Sequence, residues 1–396
     1  MIAKIQKSYE HTIYACYIGY ITQAVVNNFV PLLFLTFTRE MGLSLGRITL
    51  LTTFNFAVQL FVDWISAYFV DRIGVRTCMI AAHLLAAAGL SGLAFLPQMT
   101  PDPLIGLLIC VALYAIGGGL LEVIVSPIVE SCPTRKKEAA MALLHSFYCW
   151  GHVAVVLVST AFFRIAGIGN WRVMAVLWAL VPLLNMVYFT LVPIYPFVTE
   201  DDEKISMAGL LRQKIFWLLV IMMICAGASE QAMSQWASAF AEAGLHVSKT
   251  IGDLMGPCLF AVFMGTARAL YGKYSDRLPL REAMMGSAVL CILCYLVTVL
   301  TKHPAAGLAG CAVCGFSVGI FWPGTFSLAA KALKGGGTAL YAFLALAGDV
   351  GCSGGPTVVG FVANAFSDQL KAGLAAAIVF PTVMLLAAFL WRKQKP

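Results

Sequence analysis

The chain reads as an all-α membrane protein of twelve transmembrane helices in two pseudo-symmetric six-helix bundles. Three observations predict this. Apolar stretches, each long enough to cross a bilayer, fill nearly all of the 396 residues. The longest polar break, Thr199 to Lys204 (TEDDEK), falls after the sixth stretch and divides the chain almost evenly. A short charged loop then recurs at the same place in each half. A spanning helix needs roughly 20 mostly apolar residues, because the hydrocarbon core is about 30 Å thick and a helix rises about 1.5 Å per residue. Lipid offers no partner to backbone polar groups, so the stretches must be helices and not open strands.

In chain order, the first span is expected at 11–36, behind the polar stretch Met1 to Lys7. It is too long for a signal peptide and has no small-residue cleavage site. The second, 45–70, runs into the charged loop Asp71-Arg72-Ile-Gly74-Val-Arg76. The third and fourth follow at 75–97 and 103–131, the latter carrying three consecutive glycines and Pro127. The fifth, 138–165, comes after Arg135-Lys136-Lys137, and the sixth, 171–196, ends at the acidic break. The second half repeats the plan at 214–240, 251–275, 282–301, 304–331, 338–362 and 368–391. The expected organisation is therefore a bundle over 1–197, a cytoplasmic linker over 198–213 and a second bundle over 214–396.

Composition agrees. Hydrophobic residues make up 60% of the chain and charged residues 11%, against about 25% charged in a soluble domain. A net charge of +7 invites a nucleic-acid reading, but the distribution of basic residues excludes it. With both termini in the cytoplasm, Arg39, Arg47, Arg164, Arg172, Lys249, Lys302 and Lys371 fall outside. Arg268 lies within a helix, and every other Lys and Arg is cytoplasmic, the bias of an inserted protein with an even number of spans. The expected location is the inner (cytoplasmic) membrane. The twelve cysteines sit mostly inside spans, where a thiol is a small apolar filler. The pairs Cys291/Cys294 and Cys311/Cys314 are read the same way, against the alternative of metal or redox chemistry. No Walker loop or zincin helix is present, which excludes an ATP-driven pump for this chain alone and points to no enzyme, cofactor or metal.

The charged loop recurs as Asp276-Arg277-Leu-Pro279-Leu-Arg281, 205 residues after its first copy. A weaker echo sets Gly119-Leu-Leu-Glu122 against Gly319-Ile-Phe-Trp322, 200 residues on. Parallel six-helix repeats are a recurrent transporter plan. The duplicated loop resembles the cytoplasmic signature of the major facilitator superfamily. Ala67 stands where that signature has Gly, and Pro279 replaces the later Gly of the second copy. The resemblance implies that Asp71, Arg72, Arg76, Asp276, Arg277 and Arg281 control conformation; Arg76 and Arg281 also read as topological anchors.

Ionisable residues within spans are expensive, and each is a functional hypothesis. Glu122 leads. It follows Gly117-Gly118-Gly119 and precedes Ser126-Pro127, so a neighbouring helix or a ligand can approach closely. A carboxyl group out of water favours its neutral form, which suits a group that loads and releases a proton. A hydrogen bond across helices is the alternative. This stretch and Phe316 to Pro323 are similar to the fucose:proton symporter family, which implies proton coupling at Glu122. Ser126 stands in place of that family's Asn, and Asn27 and Asn28 occupy the region of its first-helix Asp. The two amides remain candidate solute partners.

In the fifth span His145, Tyr148, Cys149 and His152 share a helical face expected to line a cavity, with the histidines as proton relays or as satisfied interior groups. His83 reads as structural. In the seventh, Glu230 is expected to face the cavity as a further proton-coupling acid, while Gln231, Gln235 and Trp236 offer hydrogen bonds and a stacking surface to a solute. Trp322 joins the solute candidates. Asp349, among Gly348, Gly351, Gly354 and Gly355, reads as a coupling group or a structural ion pair on a moving helix. Asp63 and Arg268 are expected in a conformational charge network near the cytoplasmic side.

These residues predict an alternating-access secondary transporter, in monomeric form, moving a small polar solute (a sugar or sugar derivative) together with protons. A proton-coupled drug or metabolite exporter is the runner-up, and a non-transporting receptor or scaffold the third class.

Overall fold

Proline, glycine and short capping side chains set where the helices begin and end. The computed structural model describes residues 5–134, 137–195, 207–274, 279–333 and 337–391. In the first half, α1 spans Tyr9–Met41, α2 Leu45–Ile73, α3 Val75–Gly92, α4 Pro103–Ser131, α5 Lys137–Ala166 and α6 Trp171–Leu191. In the second, α7 spans Lys214–Gly244, α8 Lys249–Tyr271, α9 Leu280–Leu300, α10 Pro304–Ala329, α11 Gly337–Ala365 and α12 Leu370–Leu390. Eleven are long and apolar enough to cross a membrane, and α11, with 29 residues, is the twelfth of that length. The twelve expected spans are all present as helices. The third ends earlier than expected, at Gly92, because Pro97 opens a separate short turn over Leu96–Met99.

The chain falls into two compact units: Met1–Leu43 with Phe54–Thr199, and Ser44–Thr53 with Glu200–Pro396. Helix α2 thus changes unit between Thr53 and Phe54.

Within the first unit, Asp102 caps α4 by accepting from the Leu104 amide at 3.0 Å, with Pro103 in the first turn. Such a cap contributes about 1 kcal/mol. Pro31 converts α1 locally to a 3₁₀ turn over Val30–Leu33, since proline has no N–H for the helical ladder. Gly117, Gly118 and Gly119 point about 100° apart around α4 and open three of its sides. A Cβ at Gly117 would meet the Ala82 carbonyl of α3 at 2.4 Å, and one at Gly118 the Gln23 amide of α1 at 2.8 Å. At Gly119 it would meet Val62 of α2 at 3.0 Å. The glycine triplet therefore seats three helices against the one that carries Glu122.

His83 is a structural joint. Its Nδ1 donates to the Met79 carbonyl at 2.7 Å, and its Nε2 accepts from Asn185 Nδ2 at 2.7 Å. Asn185 also donates to the Ala15 carbonyl, so one buried network ties α3, α6 and α1.

In the second unit the tightest seam joins α7 and α11. A Cβ on Gly351 would stand 2.0 Å from the Ile224 carbonyl, and one on Gly355 2.4 Å from the Ala228 carbonyl. Close backbone approach at small residues is the usual means of helix association in membranes. Single π turns at Phe240–Gly244 and Leu254–Cys258 mark the facing ends of α7 and α8. Between them Asp253 is fully buried, paired with Lys249 at 3.1 Å and hydrogen-bonded by Ser238. All twelve cysteines are free and buried. Those of the two CxxC pairs pack between α9 and α10, where Cys291 and Cys314 bring their sulfurs within 3.9 Å.

Candidate functional site

The first unit gathers a polar cluster from three helices. Gln23 and Asn27 lie four residues apart on α1, and Asn55 and Gln59 four apart on α2, so each pair lines one helical face. The faces meet: Gln59 Nε2 donates to Asn27 Oδ1 at 2.8 Å, and Asn55 Nδ2 donates to the same oxygen at 3.1 Å. Gln23 Nε2 donates to Gln59 Oε1 at 2.9 Å and to Glu122 Oε2 at 3.0 Å. Glu122, half-buried on α4, thus terminates a network of four buried amides. Asp63 is half-buried one turn beyond Gln59 and continues the α2 stripe.

A second seam joins α1 to α5. Gly151 leaves room for Ile21 and Ala24, and Tyr17 stacks on Phe147 at 4.5 Å. The His145 ring meets Tyr20 edge-on at 5.4 Å, and the Tyr20 hydroxyl lies 3.2 Å from Ser126 Oγ, one turn past Glu122. Asn28 donates to its own helix at Ala24 and to the Tyr148 hydroxyl at 3.4 Å. His145 is exposed, Tyr148 half-buried and His152 2% exposed, so the two histidines occupy different surroundings.

The second unit has its own cluster. Glu230 Oε2 lies 3.4 Å from Arg268 Nη2, and its other oxygen accepts from Gln231 Nε2 at 3.3 Å. Gln235 Nε2 donates in turn to Gln231 Oε1 at 3.0 Å. Arg268 also donates from Nε to the Gly319 carbonyl at 3.2 Å, at the break in α10 that precedes Trp322. The indole of Trp322 lies over Gly348, where a Cβ would be 2.2 Å from the ring, and the next residue, Asp349, is 4% exposed.

Packing supplies partners for several of the expected residues. Trp236 was expected to stack on solute; it is fully buried, and its indole N–H donates to the Pro356 carbonyl at 3.0 Å, so it fastens α7 to α11. Arg268 was expected in a gating network with Asp63; instead it neutralises Glu230 and anchors a backbone carbonyl of α10. Arg76 and Arg281, read both as conformational residues and as anchors, each hold a helix end. Arg76 donates to the Phe189 and Val192 carbonyls at the end of α6, at 2.6 and 2.8 Å. Arg281 does the same for Ala388 and Phe389 at the end of α12, at 3.0 and 2.8 Å. A guanidinium fits there because the last carbonyls of a helix have no partners within it and carry partial negative charge. Arg72 is exposed at the end of α2. Asp276 and Arg277 lie outside the described residues, as does the side chain of Asp71.

Sequence reasoning missed Gln23, Asn55, Gln59 and the Asp253–Ser238–Lys249 group. The first three had a readable signal, polar residues spaced by four on two apolar spans.

Twelve membrane-length helices in two units, each with a buried polar cluster, define a multi-pass membrane carrier. Residues 16–356 match the family model of the Major Facilitator Superfamily, and the chain belongs to that family. No curated protein matches it significantly by sequence. Among solved structures it is similar to a bacterial homologue of the human lysosomal transporter Spinster in an inward-facing, occupied conformation. That likeness has a TM-score of 0.76 at 14% identity and covers 96% of each chain. A D-xylose-proton symporter matches with a TM-score of 0.73 at 15% identity, over 98% of this chain and 96% of that one. The E. coli fucose:proton symporter matches with 0.65 at 16%, over 98% and 100%. At such identities the likeness speaks for the fold. The chain is a transporter of the major facilitator superfamily.

Proposed function

We propose that the protein is an alternating-access secondary transporter that moves a small polar solute, a sugar or sugar derivative, coupled to protons carried by Glu122. The observation that carries this reading is the Glu122 network. A carboxylate on a helix opened by three glycines ends a set of neutral amides, and neutral amides with a single acid suit a hydroxylated solute better than an anion. Glu230, held against Arg268, is the structural acid of the second unit. Tyr148, Asn28, Gln231, Gln235 and Trp322 are further solute candidates, with His145 as the titratable neighbour beside Tyr20. Two of the similar structures are named as sugar–proton symporters, which supports the solute class.

The test uses purified protein in proteoliposomes with an imposed pH gradient and a panel of sugars, nucleosides and cationic dyes. Accumulation of a sugar driven by inward protons is the expected result. Accumulation of dyes against a proton gradient instead would establish the exporter reading. The Glu122→Gln variant keeps the acceptor that Gln23 needs but cannot titrate. Its proton-driven accumulation is expected to fall to background while solute exchange, which needs no net proton movement, survives. Intact accumulation in that variant would remove Glu122 from the coupling step.

A further inference from the structure

Two buried oxygens of the first-unit network lack a hydrogen-bond partner among the described residues: Oε1 of Gln23 and Oδ1 of Asn55. They stand at the two ends of one run of amides whose donors converge on Asn27 Oδ1. Gln23 turns its N–H side to Glu122 Oε2 and Gln59 Oε1, Gln59 turns its N–H side to Asn27 Oδ1, and Asn55 does likewise. An ionised carboxyl group only accepts hydrogen bonds, whereas a side-chain amide accepts on one side and donates on the other. The acid therefore dictates the orientation of Gln23, and each amide dictates that of the next.

We propose that these four amides form a relay that turns over when Glu122 takes up a proton and delivers its charge state to Asn55. The inference rests on the reading of Glu122 as the proton carrier. The proton comes from water, forms the O–H bond of the acid and returns to water on release. In the protonated state that O–H donates to Gln23 Oε1. Gln59 Nε2 then donates to Gln23 Oε1, and Asn27 Nδ2 donates to both Gln59 Oε1 and Asn55 Oδ1. Among these five side chains, four hydrogen bonds exist before and four after. Both orphan oxygens gain donors, and the NH2 groups of Gln23 and Asn55 turn to the sides those oxygens had faced. A half-turned run would set oxygen against oxygen or N–H against N–H, so the amides reverse as one. Gly118 supplies the room, since a Cβ there would press on Gln23 Oε1. Asn55, on α2 one turn before Gln59, is the far end of the run.

The titratable groups on the helices around this stretch of α4 are Tyr20 on α1, whose hydroxyl lies 3.2 Å from Ser126 Oγ, Asp63 on α2, one turn beyond Gln59, and His145 on α5, edge-on to Tyr20, while His83 on α3 is bonded to Met79 and Asn185. Infrared difference spectra across a pH titration separate them. Purified protein in lipid is prepared with 13C-labelled asparagine and glutamine side chains, and the acid carbonyl band lost in Glu122→Gln identifies Glu122. The relay requires asparagine and glutamine bands that shift with the same midpoint as that acid band and vanish in Glu122→Gln. Gln59→Met keeps the length but neither donor nor acceptor. There the Glu122 band still titrates and the asparagine shift is lost. Asparagine bands that stay still while Glu122 titrates would overturn the relay and leave Glu122's proton role standing. Absence of any titrating Glu122 band would overturn both. Should Gln59→Met not fold, the wild-type titration alone decides.

Discussion

At the scale of single residues, the two in-membrane glutamates differ in their partners. Glu122 meets an amide donor, and Glu230 meets a guanidinium. Removing one member of a mostly buried ion pair strands the other, at a cost of about 3 kcal/mol. Arg268→Met is thus expected to lower the melting temperature of purified protein sharply, and Arg268→Met with Glu230→Gln to recover most of the loss. Equal damage in the single and double variants would mean that the Gly319 carbonyl bond, and not the charge pair, is what Arg268 supplies. The same contrast explains why Glu122→Gln is the informative substitution. Glutamine can still accept from Gln23, so what it removes is titration.

At the scale of elements, glycine position decides helix spacing. Gly351 and Gly355 face α7, with no room for a methyl group, whereas Gly354 has nothing within 4 Å. Overpacking of this kind costs roughly 1–3 kcal/mol. Gly351→Ala and Gly355→Ala should each lower thermal stability by that order, and Gly354→Ala should leave it unchanged or raise it slightly. A penalty at Gly354 equal to the other two would show that helix bending, not close approach, governs α11. The capping arginines make a second, paired case. Arg76 and Arg281 occupy equivalent places in the two halves and close the last helix of each. Charged hydrogen bonds contribute about 1.5–3 kcal/mol each. Alanine at either position should therefore destabilise by a similar amount, and lysine, a point donor without the fork, should restore only part of it. Unchanged melting with retarded transport would instead assign these residues to gating alone.

For the whole molecule, the asymmetry of Lys and Arg sets the expected orientation. All twelve cysteines are buried, so a new surface thiol can be labelled selectively. Lys302→Cys, in the connection before α10, should react with an impermeant maleimide in intact cells. Arg72→Cys, at the end of α2, should react only after permeabilisation. The reverse pattern would invert the topology and with it the sense of any proton-driven flux.

Twelve spans, their order and the repeat were readable because a bilayer imposes one strict requirement, apolar length, that each segment meets by itself. Glu122 was singled out for the same reason, since a carboxyl group in an apolar run stands out without knowledge of its neighbours. Partnership was not readable. Trp236 and Arg268 carry the composition of ligand and gating residues, and only packing shows one pinned to Pro356 and the other to Glu230. The stripes Gln23/Asn27 and Asn55/Gln59 were visible as spacings of four, but a helical face does not say which other face it will meet. That choice belongs to the tertiary structure, which sets the helices around Gly117 to Gly119 and so joins four amides from two helices to an acid on a third. Hydropathy is a property of one segment, whereas a hydrogen-bond network exists only once separate segments are packed.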